Sequence, residues 1–349
     1  MSDFYPLKVT KVERLTPNAV SLTFAIPEAL KSTFAYKAGQ YITIKHVLDG
    51  KEVRRAYSIS CAPNTDHITV GIKKVPGGLF SVYANEKIKE GDILEVMPPE
   101  GRFVFEPHSN PKNIAAFAAG SGITPIVGIA ETVLGDNPNS TFVLVFGNQS
   151  PEEVMYAQKI TDLKQKYNDR FFIQYIFSRT PGDDALFGRI ETSTVNFVLK
   201  NKFKNVTFDA FYLCGPEGMI ETVCNTLKKN GIQEEKILFE LFTSSEVEDT
   251  LAEQLEGKTK VQVVLDDETH TLTMDKKQLV LDAVLKANID APYSCQGGVC
   301  SSCVARVLEG KVEMVKNQIL TDGEVAEGLI LTCQSHPVTP VLKIDYDDV

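Results

Sequence analysis

Residues 294–303 read SCQGGVCSSC and hold three of the seven cysteines of this chain. Cys295, Cys300 and Cys303 are spaced C-x4-C-x2-C within this stretch. A fourth cysteine, Cys333, follows in LTCQSHP after twenty-nine intervening residues. The two glycines and the small polar residues between the cysteines let the backbone wrap closely and direct N–H groups at the sulfurs. The pattern therefore predicts four thiolates that converge on one small volume.

This spacing is typical of a plant-type [2Fe–2S] cluster, which takes three thiolates from one loop and the fourth from a distant position. Four cysteines can also form a tetrahedral structural zinc site. Zinc sites usually use two separated C-x2-C pairs, and this set contains one, so the spacing favours the cluster. Cys61 and Cys224 lie outside the set and are predicted to be buried small apolar residues.

The segments around the cysteine loop predict a small α+β domain over residues 258–349. A hairpin, VQVVLDD–ETHTLTM, and a short amphipathic helix, LVLDAVLKAN, come before the loop. This order resembles a plant-type ferredoxin domain and implies a ferredoxin-like β-grasp fold. Residues 243–257, TSSEVEDTLAEQLEG, are polar and acidic and are predicted to be a linker.

Residues 1–108 are predicted to form an antiparallel β-barrel. Six short stretches are rich in Val, Ile, Thr and Tyr, often alternate in polarity, and are separated by turn residues. They are LKVTKVERL, AVSLTFAI, QYITIKHVL, RAYSIS, HITVGIKKV and DILEVM. One short helix is predicted after Gly78. Six strands with a single helix are typical of a small barrel.

Residues 109–242 have a different pattern, in which strands alternate with helices. NIAAFAAG is an unbroken apolar run, as expected of a strand that is buried on both faces, and the helical stretch ITPIVGIAETVLG follows it. Three more strands are each followed by a predicted helix: from Pro151 to about Tyr167, near residues 191–199, and from Pro216. Four such alternations predict a doubly wound parallel α/β sheet.

The net charge of −10 is concentrated in the last third of the chain. Residues 1–242 carry equal numbers of acidic and basic side chains, residues 243–257 carry five acids and no base, and residues 258–349 carry fourteen acids and nine bases. This balance argues against nucleic acid as a partner, since nucleic-acid binding needs a basic face. The acidic region suits docking on a basic protein surface, or serves solubility alone.

The chain contains no apolar run of membrane-spanning length and begins without an apolar signal-peptide core. We therefore expect no membrane association and a cytoplasmic location, where cysteines are reduced thiols or metal ligands.

Two stretches of the predicted barrel have side chains suited to a flavin. Arg55-Ala56-Tyr57-Ser58 offers a guanidinium for a pyrophosphate, a flat ring for an isoalloxazine face and a hydroxyl near its N5. Gly77-Gly78-Leu79-Phe80-Ser81 opens the predicted short helix, and a helix N-terminus with glycines and a serine hydroxyl can bind phosphate. Taken singly, each stretch is better explained by an ordinary strand or a capped helix.

Three strand ends of the predicted sheet have features of a nucleotide site. Gly120-Ser121-Gly122-Ile123-Thr124-Pro125 is a glycine-rich strand-to-helix turn that could bring N–H groups to a pyrophosphate. Cys214-Gly215-Pro216 ends the last predicted strand, where open parallel sheets bind ligands. Ser178 and Arg179 end the third strand, with Arg189 nearby, and could hold the 2′-phosphate of NADPH; an acidic residue there would have favoured NADH.

Together these motifs resemble the ferredoxin–NADP reductase superfamily, and the resemblance covers residues 1–242. It implies FAD, although several relatives with the same domains use FMN. The turn after Gly122 departs from the dinucleotide fingerprint because Pro125 takes the last glycine position, as it does in this superfamily. The resemblance implies the following flavin and nucleotide residues: Arg55, Ala56, Tyr57 and Ser58 on the flavin, Ile72 and Lys73 flanking it, Gly78 and Ser81 on its phosphates, Gly120, Gly122, Gly215 and Pro216 in the nucleotide turns, and Glu240 near the flavin. It places Tyr57, Ser58, Thr124 and Cys214 where hydride transfer takes place, with Thr124 between flavin and nicotinamide.

The three predicted domains form an electron-transfer sequence. NAD(P)H gives two electrons as a hydride, a [2Fe–2S] cluster accepts one, and a flavin can take a pair and release single electrons. The full-length chain resembles the reductase components that serve oxygenases, in particular the phenylacetyl-CoA epoxidase type, whose acceptor is a diiron oxygenase. The expected function is transfer of electrons from NADPH, with NADH possible, through FAD and the cluster to an oxygenase protein.

Other functions stay open on the sequence alone. The acceptor could be a Rieske dihydroxylase, a desaturase or another hydroxylase. A different class is a non-catalytic redox sensor or a zinc-stabilised binding module. No Ser–His–Asp set or other acid–base set is visible among the five histidines, and hydride transfer depends on position and water exclusion more than on proton chemistry.

Overall fold

The computed structural model describes residues 4–63, 66–107, 110–182, 184–242 and 249–349. The chain divides into two units, one spanning Tyr5–Phe242 and the other built mainly on Thr243–Val349. Among the described residues, no helix is long and apolar enough to cross a membrane.

The first six strands form an antiparallel sheet in the order β4-β3-β6-β1-β2-β5. Their bounds are β1 Tyr5–Thr16, β2 Ala19–Ala25, β3 Tyr41–Leu48, β4 Lys51–Ser58, β5 His67–Lys73 and β6 Ile93–Val96, with helix α1 at Leu79–Glu86. The two sheet edges meet just beyond β4, where Ile59 bridges to Val70 and the N–H of Ser60 donates to the carbonyl of Thr69 at 2.8 Å. This contact closes the sheet, and the predicted antiparallel barrel is confirmed.

The next six strands form a parallel sheet in the order β10-β9-β8-β7-β11-β12. Their bounds are β7 Asn113–Ala119, β8 Thr141–Asn148, β9 Phe171–Phe177, β10 Leu186–Phe187, β11 Ala210–Cys214 and β12 Ile237–Glu240. The helices between them are α2 Ile123–Asp136, α3 Ala157–Lys166, α4 Thr192–Asn196 and α5 Glu217–Lys229. The chain runs outward from β7 to β10 and then returns to the other side of β7 as β11. The crevice for a ligand is therefore expected at the carboxyl ends of β7 and β11, where the strand order reverses.

Several details of this sheet differ from the sequence prediction. The helix predicted to begin at Pro151 begins at Ala157, after a short 3-10 turn and a left-handed Tyr156 with φ of 60°. The helix begins later because the Tyr156 side chain is buried and contacts Ser60 and Gly71 of the barrel. Helix α4 continues as a π-helical turn over Phe197–Lys202. Strand β12 was not predicted, because four residues are too few to show a periodicity.

The second unit has five strands in one sheet, ordered β14-β13-β19-β15-β17, and a two-stranded sheet of β16 and β18. The strands are β13 Lys258–Leu265, β14 Glu268–Asp275, β15 Val304–Glu309, β16 Val312–Met314, β17 Leu329–Leu331, β18 Ser335–Pro337 and β19 Val341–Asp345. The helices are α6 Thr250–Gln254, α7 Val280–Lys286 and α8 Asp322–Ala326. The predicted hairpin, β13 with β14, and the predicted helix, α7, are both present, and α7 buries Val280, Leu281 and Val284 in the core shared with the sheet.

The predicted acidic linker is described only in part. Residues 243–248 lie outside the described residues. Helix α6 follows them, and the Asp249 carboxylate caps it by accepting the N–H of Ala252 at 3.1 Å.

Candidate functional site

The cysteine loop and the β17–β18 connection bring the four predicted thiols together. The Cys295 thiol hydrogen-bonds to those of Cys300 and Cys333, and the Cys303 thiol hydrogen-bonds to that of Cys333. Three of the four side chains are buried, and none of the cysteines is in a disulfide. Their mutual hydrogen bonds lower the pKa of Cys295 and Cys303 and raise that of Cys300 and Cys333, so the four sulfurs are electrostatically linked as one group.

The loop backbone and the Gln334 side chain supply N–H donors around these sulfurs. Gly298 adopts φ of 70°, which favours glycine, and lets the loop turn back on itself. The N–H of Gly297 points at the Cys295 sulfur at 3.4 Å, and the Gln334 amide lies 3.8 Å from the Cys333 sulfur. Four converging thiols with N–H groups directed at them fit a [2Fe–2S] cluster, because such donors stabilise the negative charge of bound thiolates and sulfides.

The two remaining cysteines predicted to be buried differ from each other. Cys61 is buried, as predicted, and its sulfur accepts the N–H of Thr69 at 3.3 Å. Cys224 is only half-buried on α5, so the prediction was wrong for it. One flank of that helix faces solvent, which a single cysteine in the sequence does not reveal.

The four residues Arg55-Ala56-Tyr57-Ser58 are the last of β4 and pair with β3. The Tyr57 ring lies 5.8 Å from the Phe80 ring of α1, tilted by 36°. Burial raises the pKa of the Tyr57 phenol, so the side chain stays uncharged well above neutral pH. Arg55 is exposed beside it. A flat ring next to an exposed guanidinium fits the predicted flavin site.

The turn before α1 is shaped by Gly78 and Ser81. Gly78 is the N-cap of α1, and a Cβ on it would lie 2.5 Å from the Ser81 hydroxyl oxygen. That oxygen accepts the N–H of Val75 at 3.1 Å. Ser81 therefore holds the turn in shape, while its O–H can still donate to a phosphate placed at the helix N-terminus.

Ser58, Cys214 and Glu240 come together although they lie far apart in the sequence. Glu240 on β12 is in register with Cys214 on β11, and the Ser58 hydroxyl donates to the Glu240 carboxyl at 3.0 Å. Burial raises the pKa of Glu240 to about 8, and the Ser58 hydrogen bond opposes that rise. Burial, together with Glu240, also raises the pKa of Cys214. At neutral pH this cluster is therefore mostly uncharged.

The turn after β7 packs directly on the turn after β11. A Cβ on Gly122 would lie 2.0 Å from the Cys214 carbonyl oxygen, so only glycine permits this approach. Gly215 is crowded to a lesser degree, because a Cβ there would come within 2.7 Å of the Met219 methyl group and 3.2 Å of the backbone nitrogen of Ala119. The predicted nucleotide turns thus meet at the point where the strand order reverses.

Thr124 and the end of β5 lie side by side. A Cβ on Gly71 would meet the Thr124 methyl group at 2.8 Å, so Thr124 packs on bare backbone next to Ile72. The Lys73 ammonium is 3.9 Å from where a Cβ on Gly120 would stand and pairs with Glu153 at 3.4 Å. These contacts bring the predicted flavin-flanking residues against the predicted nicotinamide turn.

Ser178 and Arg179 follow β9 and are held by backbone hydrogen bonds to Asn148 and Gln149 at 3.0 and 2.9 Å. Strand β10 pairs Phe187 with Phe177, so Arg189, two residues later, lies at the same sheet edge as Arg179. Both arginines are exposed. The Phe187 side chain is 67% exposed and was not predicted as a site residue. A two-residue edge strand has no sequence pattern that would have indicated it.

Replacing Glu240 with glutamine should change how stability depends on pH. The ordinary pKa of 4.5 is raised to about 8 in the folded protein, so the folded state holds a proton that the unfolded chain releases between these values. The free energy of unfolding of the wild type should therefore fall across this window, by up to about 1.4 kcal/mol per pH unit from this group. The residue remains partly accessible, so we expect a slope below that limit.

Urea unfolding at several pH values in this window would measure the effect. The Glu240→Gln variant should lack this part of the slope, whereas Glu235→Gln, at an exposed position, should keep it. Parallel pH profiles for wild type and Glu240→Gln would contradict the prediction.

Comparison with known protein families agrees with this geometry. The oxidoreductase FAD-binding domain matches residues 6–105, the oxidoreductase NAD-binding domain matches residues 117–225, and the 2Fe-2S iron-sulfur cluster binding domain matches residues 263–338. These matches establish the flavin, nicotinamide and cluster cofactors, and they decide between cluster and zinc in favour of the cluster.

Characterised relatives match over nearly the full chain. A component of the 1,2-phenylacetyl-CoA epoxidase of Escherichia coli is 37% identical over 99% of both chains. The ferredoxin reductase component of 3-ketosteroid-9-alpha-monooxygenase from Rhodococcus rhodochrous is 34% identical over 97% of this chain and 96% of its own. Among solved structures, phthalate dioxygenase reductase matches 98% of each chain with a TM-score of 0.62 at 21% identity, which supports the fold. The chain therefore belongs to the family of oxygenase reductase components, which carry electrons from NAD(P)H through FAD to a [2Fe–2S] cluster.

Proposed function

We propose that this reductase supplies electrons to a diiron oxygenase that acts on an aryl-acetyl coenzyme A thioester, as the phenylacetyl-CoA epoxidase does. The supporting observation is the 37% identity to the epoxidase component from Escherichia coli, which extends over 99% of both chains. A second candidate acceptor is an oxygenase of the 3-ketosteroid type, because its reductase component is 34% identical.

Reconstitution tests the acceptor. The reductase would be mixed with the purified oxygenase components of a phenylacetyl-CoA epoxidase, and in parallel with a ketosteroid oxygenase, and product would be measured against NAD(P)H consumed. We expect close coupling of consumption to product with the epoxidase only. Coupling with the ketosteroid oxygenase alone, or with neither protein, would rule out the proposed acceptor.

The proposed domain boundaries are 1–108 for FAD, 109–242 for NAD(P)H, 243–257 for the linker and 258–349 for the cluster. Each family match falls inside one of these ranges. The described half of the linker includes the capped helix α6. We also place the protein in the cytoplasm, where thiols stay reduced and available for a cluster.

The proposed flavin site lies on β4 and β5 of the barrel. Tyr57 would face the isoalloxazine, Ser58 would lie near its N5, and Arg55 would bind the pyrophosphate with the N–H groups that follow Gly78. Ala56, Ile72, Lys73 and Ser81 complete this proposed site. Bound FAD would supply the chemistry that accepts two electrons together and releases them singly. The chain's own part is to hold the ring flat, exclude water and keep the Glu240 proton nearby.

The proposed nicotinamide site lies at the carboxyl ends of β7 and β11. Thr124 and Cys214 would flank the nicotinamide, and the turns containing Gly120, Gly122, Gly215 and Pro216 would hold the phosphates. Because β8 and β7 lie between β9 and β11, a dinucleotide that reaches Ser178 must cross the whole carboxyl edge of the sheet. The four thiols at 295, 300, 303 and 333 are the proposed cluster ligands.

Replacing Arg179 with alanine should weaken the binding of NADPH more than the binding of NADH. The guanidinium is exposed at the carboxyl edge beside Ser178, where it would form a charge-assisted hydrogen bond to the 2′-phosphate. Loss of such a bond at an exposed site should raise the KM for NADPH about tenfold. Steady-state kinetics with both coenzymes measure this, and NADH serves as the internal control because it lacks the phosphate. Equal changes for both coenzymes would contradict the assignment.

A further inference from the structure

The parallel-sheet region contacts the barrel just after β4, the strand that carries the proposed flavin residues. We call residues 59–62, which follow Ser58, the exit segment. The Tyr156 hydroxyl lies 2.6 Å from the Ser60 hydroxyl, and the Lys159 ammonium donates to the Ser60 carbonyl at 2.9 Å. Tyr156 and Lys159 stand at the start of α3, so this helix is tied directly to the exit segment.

Helix α2 contacts the same segment at a second position. The Glu131 carboxylate accepts the N–H of Ala62 at 3.1 Å and pairs with the Lys159 ammonium at 2.8 Å. One turn earlier, a Cβ on Gly128 would lie 3.0 Å from the Cys61 carbonyl oxygen and 3.1 Å from that of Ile59. We call Gly128, Glu131, Tyr156 and Lys159 the clamp.

The conformation of Tyr156 indicates that this contact is specific. Its φ of 60° is unusual for a bulky residue and persists only where the surroundings hold it. The side chain is buried, and burial raises the pKa of its phenol, so the hydroxyl keeps its proton for hydrogen bonding with Ser60. The strain and the hydrogen bond thus occur in the same residue.

The clamp is continuous with the proposed hydride-transfer site. A Cβ on Gly71 would come within 2.8 Å of both the Thr124 methyl group and the Tyr156 hydroxyl oxygen. Thr124 and Tyr156 therefore pack side by side on the bare backbone of β5, next to Ile72. A shift of Tyr156 relative to the barrel would therefore disturb the packing of Thr124 on β5.

We propose that the clamp sets the distance between the nicotinamide and the flavin, so that Tyr156, Lys159 and Glu131 are positioning residues for hydride transfer. The proposal rests on the placement of FAD at Tyr57 and Ser58. In that step the C4–H bond of the nicotinamide breaks and a bond from hydrogen to flavin N5 forms. The electron pair moves with the hydrogen, so NAD(P)H is oxidised and FAD is reduced. Such steps are sensitive to misplacement, because a shift of about 1 Å can slow them about a hundredfold.

The first test compares Tyr156→Phe with Tyr36→Phe. Both hydroxyls bond to the exit segment, but the Tyr36 hydroxyl donates to the Ala62 carbonyl at 2.7 Å from within the barrel itself. Flavin reduction would be measured by anaerobic stopped-flow with NADPH and with its C4-deuterated form. The charge-transfer absorbance would be measured after NADP⁺ is added to the reduced protein. We expect Tyr156→Phe to slow flavin reduction about tenfold and weaken the band, and Tyr36→Phe to change neither.

The second test compares Gly128→Ala with Gly135→Ala, both on α2. Alanine is the better helix former at both positions, but only a Cβ added at Gly128 would press on the exit segment, since the nearest atom that a Cβ at Gly135 would meet is the Tyr167 hydroxyl oxygen at 3.8 Å. Gly128→Ala should reproduce the slower reduction and the weaker band, and Gly135→Ala should leave both unchanged. Electron transfer from dithionite-reduced flavin to cytochrome c should stay at the wild-type rate in all four variants.

Wild-type reduction rates and bands in both Tyr156→Phe and Gly128→Ala would overturn the proposal. Equal slowing by Tyr36→Phe would also overturn it, because the effect would then be general support of the segment. An error in the flavin placement would appear differently, as normal FAD content after Tyr57→Ala and Arg55→Ala.

Discussion

Replacing Cys303 with serine should stop electron transfer to cytochrome c while flavin reduction by NADPH continues at the wild-type rate. The Cys303 sulfur is buried and hydrogen-bonds to that of Cys333, so its loss removes one of the four proposed iron ligands. The proposed flavin and nicotinamide residues all lie in the Tyr5–Phe242 unit, which has its own hydrophobic core. We expect cytochrome c reduction to fall at least about a hundredfold, since the flavin would have no one-electron acceptor within the chain.

Cys224→Ser is the matched control, because it makes the same substitution at a half-exposed position outside the four-thiol set. Iron content, the cluster's visible absorbance and stopped-flow flavin reduction would be measured on both variants. The control should match the wild type in all three. If Cys303→Ser lost flavin reduction as well, or kept a full complement of iron, the assignment of separate flavin and cluster modules would be wrong.

Replacing Gly122 with alanine should slow flavin reduction by NADPH and leave electron transfer from the flavin through the cluster intact, the reverse of the result expected for Cys303→Ser. The new Cβ would stand 2.0 Å from the Cys214 carbonyl oxygen and 2.9 Å from the Gly215 nitrogen, so backbone must move at the meeting point of both nucleotide turns. The φ of Gly122 is −60°, an ordinary value, so the expected effect is purely steric. Flavin reduction by NADPH should fall about a hundredfold. Dithionite-reduced flavin should still pass electrons through the cluster to cytochrome c.

Gly218→Ala is the control for this variant. Gly218 lies in the first turn of α5, at the same sheet edge, but no atom lies within 4 Å of a Cβ built on it. It should retain wild-type flavin reduction and wild-type NADP⁺ affinity by difference spectroscopy. Normal reduction by NADPH in Gly122→Ala would show that the β7 and β11 turns are not the nicotinamide site.

The local patterns of the sequence predicted most of the architecture. The six barrel strands could be predicted because alternation and turn residues repeat within short windows, and the four strand–helix pairs because buried parallel strands are continuously apolar. The four thiols could be identified because cluster ligation requires a fixed spacing along the chain. These features depend on residues that lie close together along the chain, so they can be predicted from the sequence alone.

The tertiary structure decided which distant residues share a site. Ser58 and Glu240 are 182 residues apart, and they meet only because β12 adds to the sheet beside β11. The left-handed turn at Tyr156 interrupts a helix that the local pattern predicted to be continuous, because burial against the barrel outweighs local helix preference. The cysteine spacing thus indicated the cluster and local patterns indicated the order of domains, whereas FAD was implied by the resemblance of the combined motifs to a known superfamily. The packing of one domain's backbone against another's determined how closely the proposed nicotinamide and flavin residues approach each other, since close approach depends on contacts that no local sequence pattern encodes.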